Sequence, residues 1–306
     1  MIGVLTGFAV VGLAIAVGYV VGRLDLLGEH GRFVLSRLTF FVLSPFLLFT
    51  VLASADVGVL LSSLLPVSGI VAALMFVIYG LVSRAAWRRN WGTTTIGALG
   101  AGYVNGNNIG IPIATYVLGD AAYSAPILLA QLLIFTPIAL TLLDWDSKGD
   151  ASFGRSMVRT LRNPMIVGSA LGLVFALAHI DIPDAAMAPL ELIAHAAIPV
   201  LLISFGMSLT GQRILTQKGT RRDIVLATSL KLVGMPLAAY LLGAWAFHLP
   251  SHALLAVVVL AALPSAQNVF NYAQRYRTAE VVARDVVFLT TLGCVPVVFL
   301  AALLLG

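Results

Sequence analysis

The chain is a succession of apolar stretches separated by short polar loops. Stretches long enough to cross a bilayer run near 2–21, 33–53, 64–83, 95–118, 122–143, 163–180, 187–209, 224–247, 252–274 and 283–305. A crossing needs about 20 mostly apolar residues, because a helix rises about 1.5 Å per residue through roughly 30 Å of hydrocarbon. The pattern therefore predicts ten transmembrane helices. Two spans depart from it near their middles. The fourth reads Asn105-Gly106-Asn107-Asn108-Ile109-Gly110-Ile111-Pro112, and the ninth reads Pro264-Ser265-Ala266-Gln267-Asn268. Backbone that leaves the helix at membrane depth needs protein or a watery cavity around it, since an unsatisfied amide in hydrocarbon costs several kcal/mol. Paired interruptions in the two halves of a chain point to a transporter's binding site.

The halves also repeat. Pro45-Phe46-Leu47-Leu48-Phe49-Thr50 in span two resembles Pro199-Val200-Leu201-Leu202-Ile203-Ser204 in span seven. Pro112 and Pro264 stand in spans four and nine, and Pro137 and Pro296 in spans five and ten. The offsets are nearly constant: 154 (45 to 199), 152 (112 to 264) and 159 (137 to 296). Five spans per half is an odd number, so the halves insert with opposite orientation, as an inverted repeat. The expected organisation is a first repeat over 1–143, a polar linker over 144–162 and a second repeat over 163–306.

Composition agrees with a membrane chain: 60% of residues are hydrophobic and 10% charged, with a mean hydropathy of +1.01. Charge sets the expected orientation. The odd loops and their flanks carry Arg23, Arg32, Arg37, Arg84, Arg88, Arg89, Lys148, Arg155, Arg159, Arg162, Arg213, Lys218, Arg221, Arg222, Arg275, Arg277 and Arg284. The even loops hold Asp56, Asp120, Asp181, Asp184, His248 and His252 and no Lys or Arg. The positive-inside rule then makes the odd loops cytoplasmic and both termini external. This scatter over short loops accounts for the pI of 9.6 without a nucleic-acid surface. No basic residue precedes the first span, so a removable signal peptide is not expected. Cys294 is the single cysteine, which excludes a disulfide framework or a Cys-based metal site.

Proline and glycine should split spans four and nine into half-helices. New N-termini are expected near Pro112 and Ser265, and C-terminal carbonyl ends near Asn105 and Leu263. Free amides at a helix start suit a carboxylate, and carbonyl ends suit a cation. Asn105, Asn108, Gln267 and Asn268 donate and accept together, so they are candidate substrate contacts, with Pro112 and Pro264 shaping the crossover. Asn107 is the weakest of the amides, because three closely spaced residues cannot all face one pocket. Asn271 lies one turn past Gln267 and shares its face. Gln131, in mid-span five, is a further candidate, with hydrogen bonding between helices as its competing role.

Three ionisable residues inside spans are candidates for ion or proton coupling. Glu191 and His195 are four apart, on one helical face; they form either a proton relay or a solvated pair at the rim. Lys231 lies about eight residues into span eight, roughly 12 Å at helical rise; it either snorkels to the cytoplasmic surface or attracts an anion. No nucleophile elbow, zinc-protease signature or Asp-rich motif is present, so an enzyme is not expected, and neither is a cofactor. A membrane sensor or scaffold that binds without transporting is the alternative, although no soluble signalling domain accompanies the spans.

These motifs resemble the auxin efflux carrier family, which includes the plant PIN carriers and bacterial transporters of small organic acids. The stretch Asn105-Gly106-Asn107-Asn108-Ile109-Gly110-Ile111-Pro112-Ile113 is similar to the family's Asn-x-x-x-x-Gly-[Ile/Leu]-Pro-[Leu/Ile] signature. Leu263-Pro264, Phe270, Ala273 and Tyr276 resemble its Leu-Pro…Phe-x-x-Ala-x-x-Tyr pattern. Thr290-Thr291, Pro296, Gln131 and Ser204-Phe205-Gly206-Met207 also look like family positions. The resemblance implies the fold of sodium/proton antiporters and bile-acid symporters. Spans 1, 2, 6 and 7 would form a scaffold that dimerises, spans 3–5 and 8–10 a moving transport domain with crossed broken helices. It also implies an organic anion as substrate, carried across a bacterial cytoplasmic membrane. Plant carriers have an additional proline at each crossover where this chain has Val104 and Val269. The paired-aspartate motif of sodium/proton antiporters is missing, which leaves coupling to protons or sodium open.

Overall fold

The structure is a computed structural model; it describes residues 2–28, 30–54, 63–148, 158, 161–180, 182–211, 215 and 217–306. Among them the regular structure is helical: α1 (Ile2–Arg23), α2 (Gly31–Ala53), α3 (Leu64–Ala86), α4 (Trp91–Gly102), α5 (106–118), α6 (121–148), α7 (Pro164–Leu177), α8 (Asp184–Met207), α9 (Arg221–Ala246), α10 (Ser251–Ala262), α11 (Gln267–Tyr276) and α12 (Glu280–Leu305). Five of these, α2, α3, α8, α9 and α12, are individually long and apolar enough to cross a membrane. Their outward faces remain apolar, as at Val77, Val233, Trp245 and Val295. Such an all-round hydrophobic helix is matched to a lipid surround and not to water.

Polar residues set the helix starts. Asn90 Oδ1 accepts from the Thr93 N–H at 3.0 Å and opens α4. Asn163 Oδ1 accepts from the Met165 N–H at 2.9 Å, with Pro164 following at the first helical position of α7. Both are N-cap geometries that satisfy a donor the helix itself leaves orphaned.

The described residues group into two compact units, one drawn from 1–62, 107–129 and 159–212, the other from 63–106, 130–158 and 213–306. The first holds α1, α2, α7, α8, α5 and the start of α6. Within it α1 packs on α8 and α2 on α7, and glycines set both separations. A Cβ on Gly206 would stand 2.1 Å from the Ile15 carbonyl oxygen, and one on Gly18 2.2 Å from that of Ile203. A Cβ on Gly168 would stand 2.4 Å from the Pro45 carbonyl oxygen. The obstacles are backbone, so no side chain can rotate away. This is the small-residue contact by which membrane helices gain dispersion energy without a hydrophobic drive. Gly206→Leu therefore forces α1 off α8, and overpacking of this kind costs about 1–3 kcal/mol or more. The expected result is loss of a monodisperse peak in detergent, while Gly69→Leu in α3, whose Cβ meets nothing within 4 Å, leaves the peak unchanged.

The second unit holds α3, α4, most of α6, and α9–α12. Its core joins Ile96, Leu99, Tyr103, Leu143, Val269 and Ala273. At the end where α3 meets α4 and α9, Arg89 grips buried Asp223 (Nη2 to Oδ2, 2.6 Å), to which the Tyr79 hydroxyl also donates at 3.2 Å. Arg284 Nη2 pairs with Asp285 at 2.8 Å, and Asp285 Oδ2 also accepts from the Leu215 N–H at 2.7 Å.

Two sequence expectations change here. The linker was expected from 144, but α6 continues to Lys148, because Asp144 accepts from the Tyr276 hydroxyl at 3.0 Å and Trp145 packs on Trp91. The remaining linker positions 149–157, 159 and 160 lie outside the described residues, as do Asp56, Asp181 and Arg213. The half-helix starts also move. The one expected near Pro112 is at Gly106 and the one near Ser265 is at Gln267. Pro112 sits inside α5, at the first turn of an α-helical piece that follows a π turn over Gly106–Gly110, where its missing N–H is tolerated.

Candidate functional site

In the second unit, α4 ends at Gly102 and α10 at Ala262, and the segments after them run past each other extended and antiparallel. Val104 and Ser265 form an antiparallel bridge. The Asn105 N–H donates to the Pro264 carbonyl at 2.8 Å, and the Ala266 N–H to the Tyr103 carbonyl at 2.9 Å. Two short unwound segments thus satisfy each other as a minimal sheet, which is what an interruption away from water requires. Pro264 promotes the second break directly, since it has no N–H to offer the Leu260 carbonyl, which takes the Leu263 N–H instead at 3.3 Å. The first break has no proline. The glycines Gly97, Gly100 and Gly102 weaken the end of α4, and the neighbouring helix does the rest.

That neighbour is α6. Gln131, 1% exposed, spends both ends of its amide on one residue: Oε1 accepts from the Val104 N–H, and Nε2 donates to the Val104 carbonyl at 3.1 Å. Tyr103 is held beside it by a 2.8 Å hydrogen bond between its hydroxyl and that of Thr136. In the second break Thr290 of α12 plays the corresponding part. Its Oγ1 accepts from the Ser265 N–H at 3.1 Å and donates to the Val286 carbonyl at 2.7 Å. Gln131 and Thr290 stand 159 positions apart (131 to 290), the same offset as Pro137 to Pro296. The Ser265 hydroxyl, fully buried, donates back to the Gly100 carbonyl.

Asn105 is 3% exposed and sits in the crossing itself. Gln267 and Asn268 open α11, half-buried, and their side-chain amides bond no other described residue. The N-cap Ala266 offers no side chain to the first turn; the Val269 N–H turns back to the Ala266 carbonyl, which leaves the Gln267 and Asn268 N–H groups available. Asn271 is exposed, one turn further along α11. Asn105, Gln131, Pro264, Gln267 and Asn268 are therefore brought together in one unit. Asn108 and Pro112 belong to the other, where Asn107 Nδ2 donates to Ser44 Oγ and to Asn108 Oδ1, both at 3.1 Å.

The coupling candidates separate. Glu191 is half-buried and His195 exposed on α8, and no hydrogen bond or ion pair joins them among the described residues. Lys231 does not snorkel. It is 0% exposed and donates from Nζ to the Ala261 carbonyl at 2.7 Å and to Met235 Sδ at 2.9 Å. The unwinding after α10 turns the side chain inward, because it strips the Ala261 carbonyl of its helical donor. The Ser265 N–H, four residues on, goes to Thr290.

Tyr103, Ser265 and Thr290 escaped the sequence-based choice of site residues. The 159-position offset of Pro137 to Pro296, applied to Gln131, leads to Thr290. Val104 and Val269 part company as well: Val104 is in the crossing, and its N–H feeds Gln131, whereas Val269 lies in the first turn of α11, its N–H donating to the Ala266 carbonyl at 3.1 Å. Among the described residues no cluster of three or more His, Cys, Asp or Glu could hold a metal ion.

The family model described as "Membrane transport protein" matches residues 4–301. An uncharacterized transporter of Methanothermobacter thermautotrophicus is 29% identical over 236 residues, 74% of this chain and 73% of the relative. The uncharacterized transporter YfdV of Escherichia coli K12 is 25% identical over 270 residues, 85% of this chain and 84% of the relative.

Proposed function

The chain belongs to the membrane transport protein family, that of the auxin efflux carriers, and from that membership we propose that it is a secondary transporter of a small organic anion. The observation that carries the reading is the crossing at Val104 and Ser265 with amide groups left over beside it. The crossing segments satisfy each other and their supports, so the side-chain amides and backbone N–H groups of Gln267 and Asn268 have capacity for a ligand. A donor-rich helix start with no basic side chain favours a carboxylate held by hydrogen bonds and the helix dipole. Asn105 lines the same crossing and completes the set.

The ten-span inverted repeat is part of this proposal. Its support is the common offset of Gln131 to Thr290 and of Pro137 to Pro296. Alternating access would move one of the two compact units against the other, with the odd loops cytoplasmic, and a homodimer through the first unit is the expected assembly. Uptake into proteoliposomes of labelled monocarboxylates, dicarboxylates and indole acids, with and without a proton gradient, tests the function. Saturable flux for at least one class is expected. Absence of saturable flux for all of them, with binding that shows no counterflow exchange, would favour a sensor.

A further inference from the structure

We propose that Lys231 is a resident counter-cation: its ammonium holds the place at the carbonyl end of α10 that a soluble monovalent cation would take. The inference rests on the transporter reading and deepens it, because a fixed positive charge lets an anion be carried with no accompanying sodium ion.

The argument is an accounting of the two broken helices. In each, the carbonyl four residues before the bridged position loses its helical donor. For α4 this is Gly100, since the Val104 N–H goes to Gln131; for α10 it is Ala261, since the Ser265 N–H goes to Thr290. Each carbonyl lies four residues before one partner of the Val104–Ser265 bridge, so the two hold corresponding places in the crossing. The first is satisfied by the neutral Ser265 hydroxyl, the second by the Lys231 amine. A hydroxyl is thus sufficient for capping, and hydrogen bonding alone does not call for a cation.

The location suits a charge. The C-terminal end of α10 carries partial negative charge from its last carbonyls, and Met235 Sδ adds a soft acceptor at 2.9 Å. Taking an ammonium out of water is costly unless opposite charge compensates it. The two buried carboxylates of this unit are already engaged, Asp223 by Arg89 and Asp285 by Arg284. The other ionisable group beside the amine is the Cys294 thiol on α12. Among the described residues no resident anion answers Lys231, so its charge is available to balance a carried one.

The test uses the full chain with Lys231→Ala, which opens a space, and Lys231→Met, which fills it. Wild-type uptake should be equal in sodium and choline salts. Lys231→Ala should lose most of its uptake in choline and regain it several-fold in sodium, ammonium or methylammonium. Lys231→Met should be slow in every salt while remaining monodisperse. Wild-type uptake that requires sodium, Lys231→Met uptake equal to wild type, or a folded Lys231→Ala that no cation rescues would each overturn the proposal. Thermal melting in detergent gives a readout without transport, since a cation that binds the folded state stabilises it. Sodium or ammonium should raise the melting temperature of Lys231→Ala by several degrees and leave wild type unmoved. If no acid gives saturable wild-type flux, the transporter reading fails alone; absence of this salt-dependent shift overturns the resident cation on its own.

Discussion

Gln131→Leu should unfold the crossing. Leucine nearly conserves the volume but leaves the Val104 N–H without its acceptor and the Val104 carbonyl without the Gln131 donor. The carbonyl retains the Gly106 N–H at 2.8 Å, so the N–H bears the larger loss. A buried backbone group stripped of its partner costs about 1–3 kcal/mol, and Gln131, 1% exposed, is shielded from bulk solvent. Across the donor and the weakened acceptor the loss is several kcal/mol, equivalent to a fall in apparent melting temperature on the order of 5–15 °C. Uptake should vanish with it, because Asn105 and Ser265 are held in register through Val104. Gln131→Glu, which keeps an acceptor for the N–H, should fall between wild type and leucine. A melting temperature within a degree or two of wild type for Gln131→Leu would show that the crossing does not depend on α6.

The double substitution Gln267→Leu with Asn268→Leu has the opposite profile. These side chains bond no other described residue, so the melting temperature should hold. A hydrogen bond to a charged group contributes about 1.5–3 kcal/mol, and losing two should raise the KM for the carried acid about a hundredfold or more. Equilibrium binding of the acid should weaken in parallel, which separates a lost contact from a slowed conformational step. Unchanged KM and affinity would move the site away from the start of α11. Asn271→Leu on the exposed next turn should have a smaller effect, because it lies beyond the free first-turn donors.

The interruptions themselves were legible in the sequence because they violate a rule. Asparagine, glutamine, glycine and proline are expensive in lipid, so their presence within apolar runs has to be answered by structure. What the residue types do not reveal is where the helix restarts. Pro112 is the expected start of the second half-helix, yet it lies within α5, which begins six residues earlier at Gly106, just past the segment that Gln131 and the second break hold. Lys231 shows the same limit. Its depth along the span was readable, but its direction depended on an orphaned carbonyl thirty positions away at Ala261. Gly18, Gly168 and Gly206 look like the ordinary glycines of membrane helices until their neighbours' carbonyl oxygens are seen within 2.4 Å of where a Cβ would stand.

By itself the sequence determined the broad class: helices made for lipid, two polar interruptions, a repeated arrangement of prolines, and the family those motifs carry. These follow from local chemistry, since apolar length, proline's missing donor and the desolvation cost of an amide act wherever the residue sits. Only the tertiary structure decided which backbone groups are satisfied by whom, and hence which polar side chains are spent on the fold and which remain for a ligand. Gln131, Ser265 and Thr290 are consumed; Gln267 and Asn268 are not. That division rests on distances between residues far apart in the chain, and hydrogen bonding falls away within a fraction of an ångström.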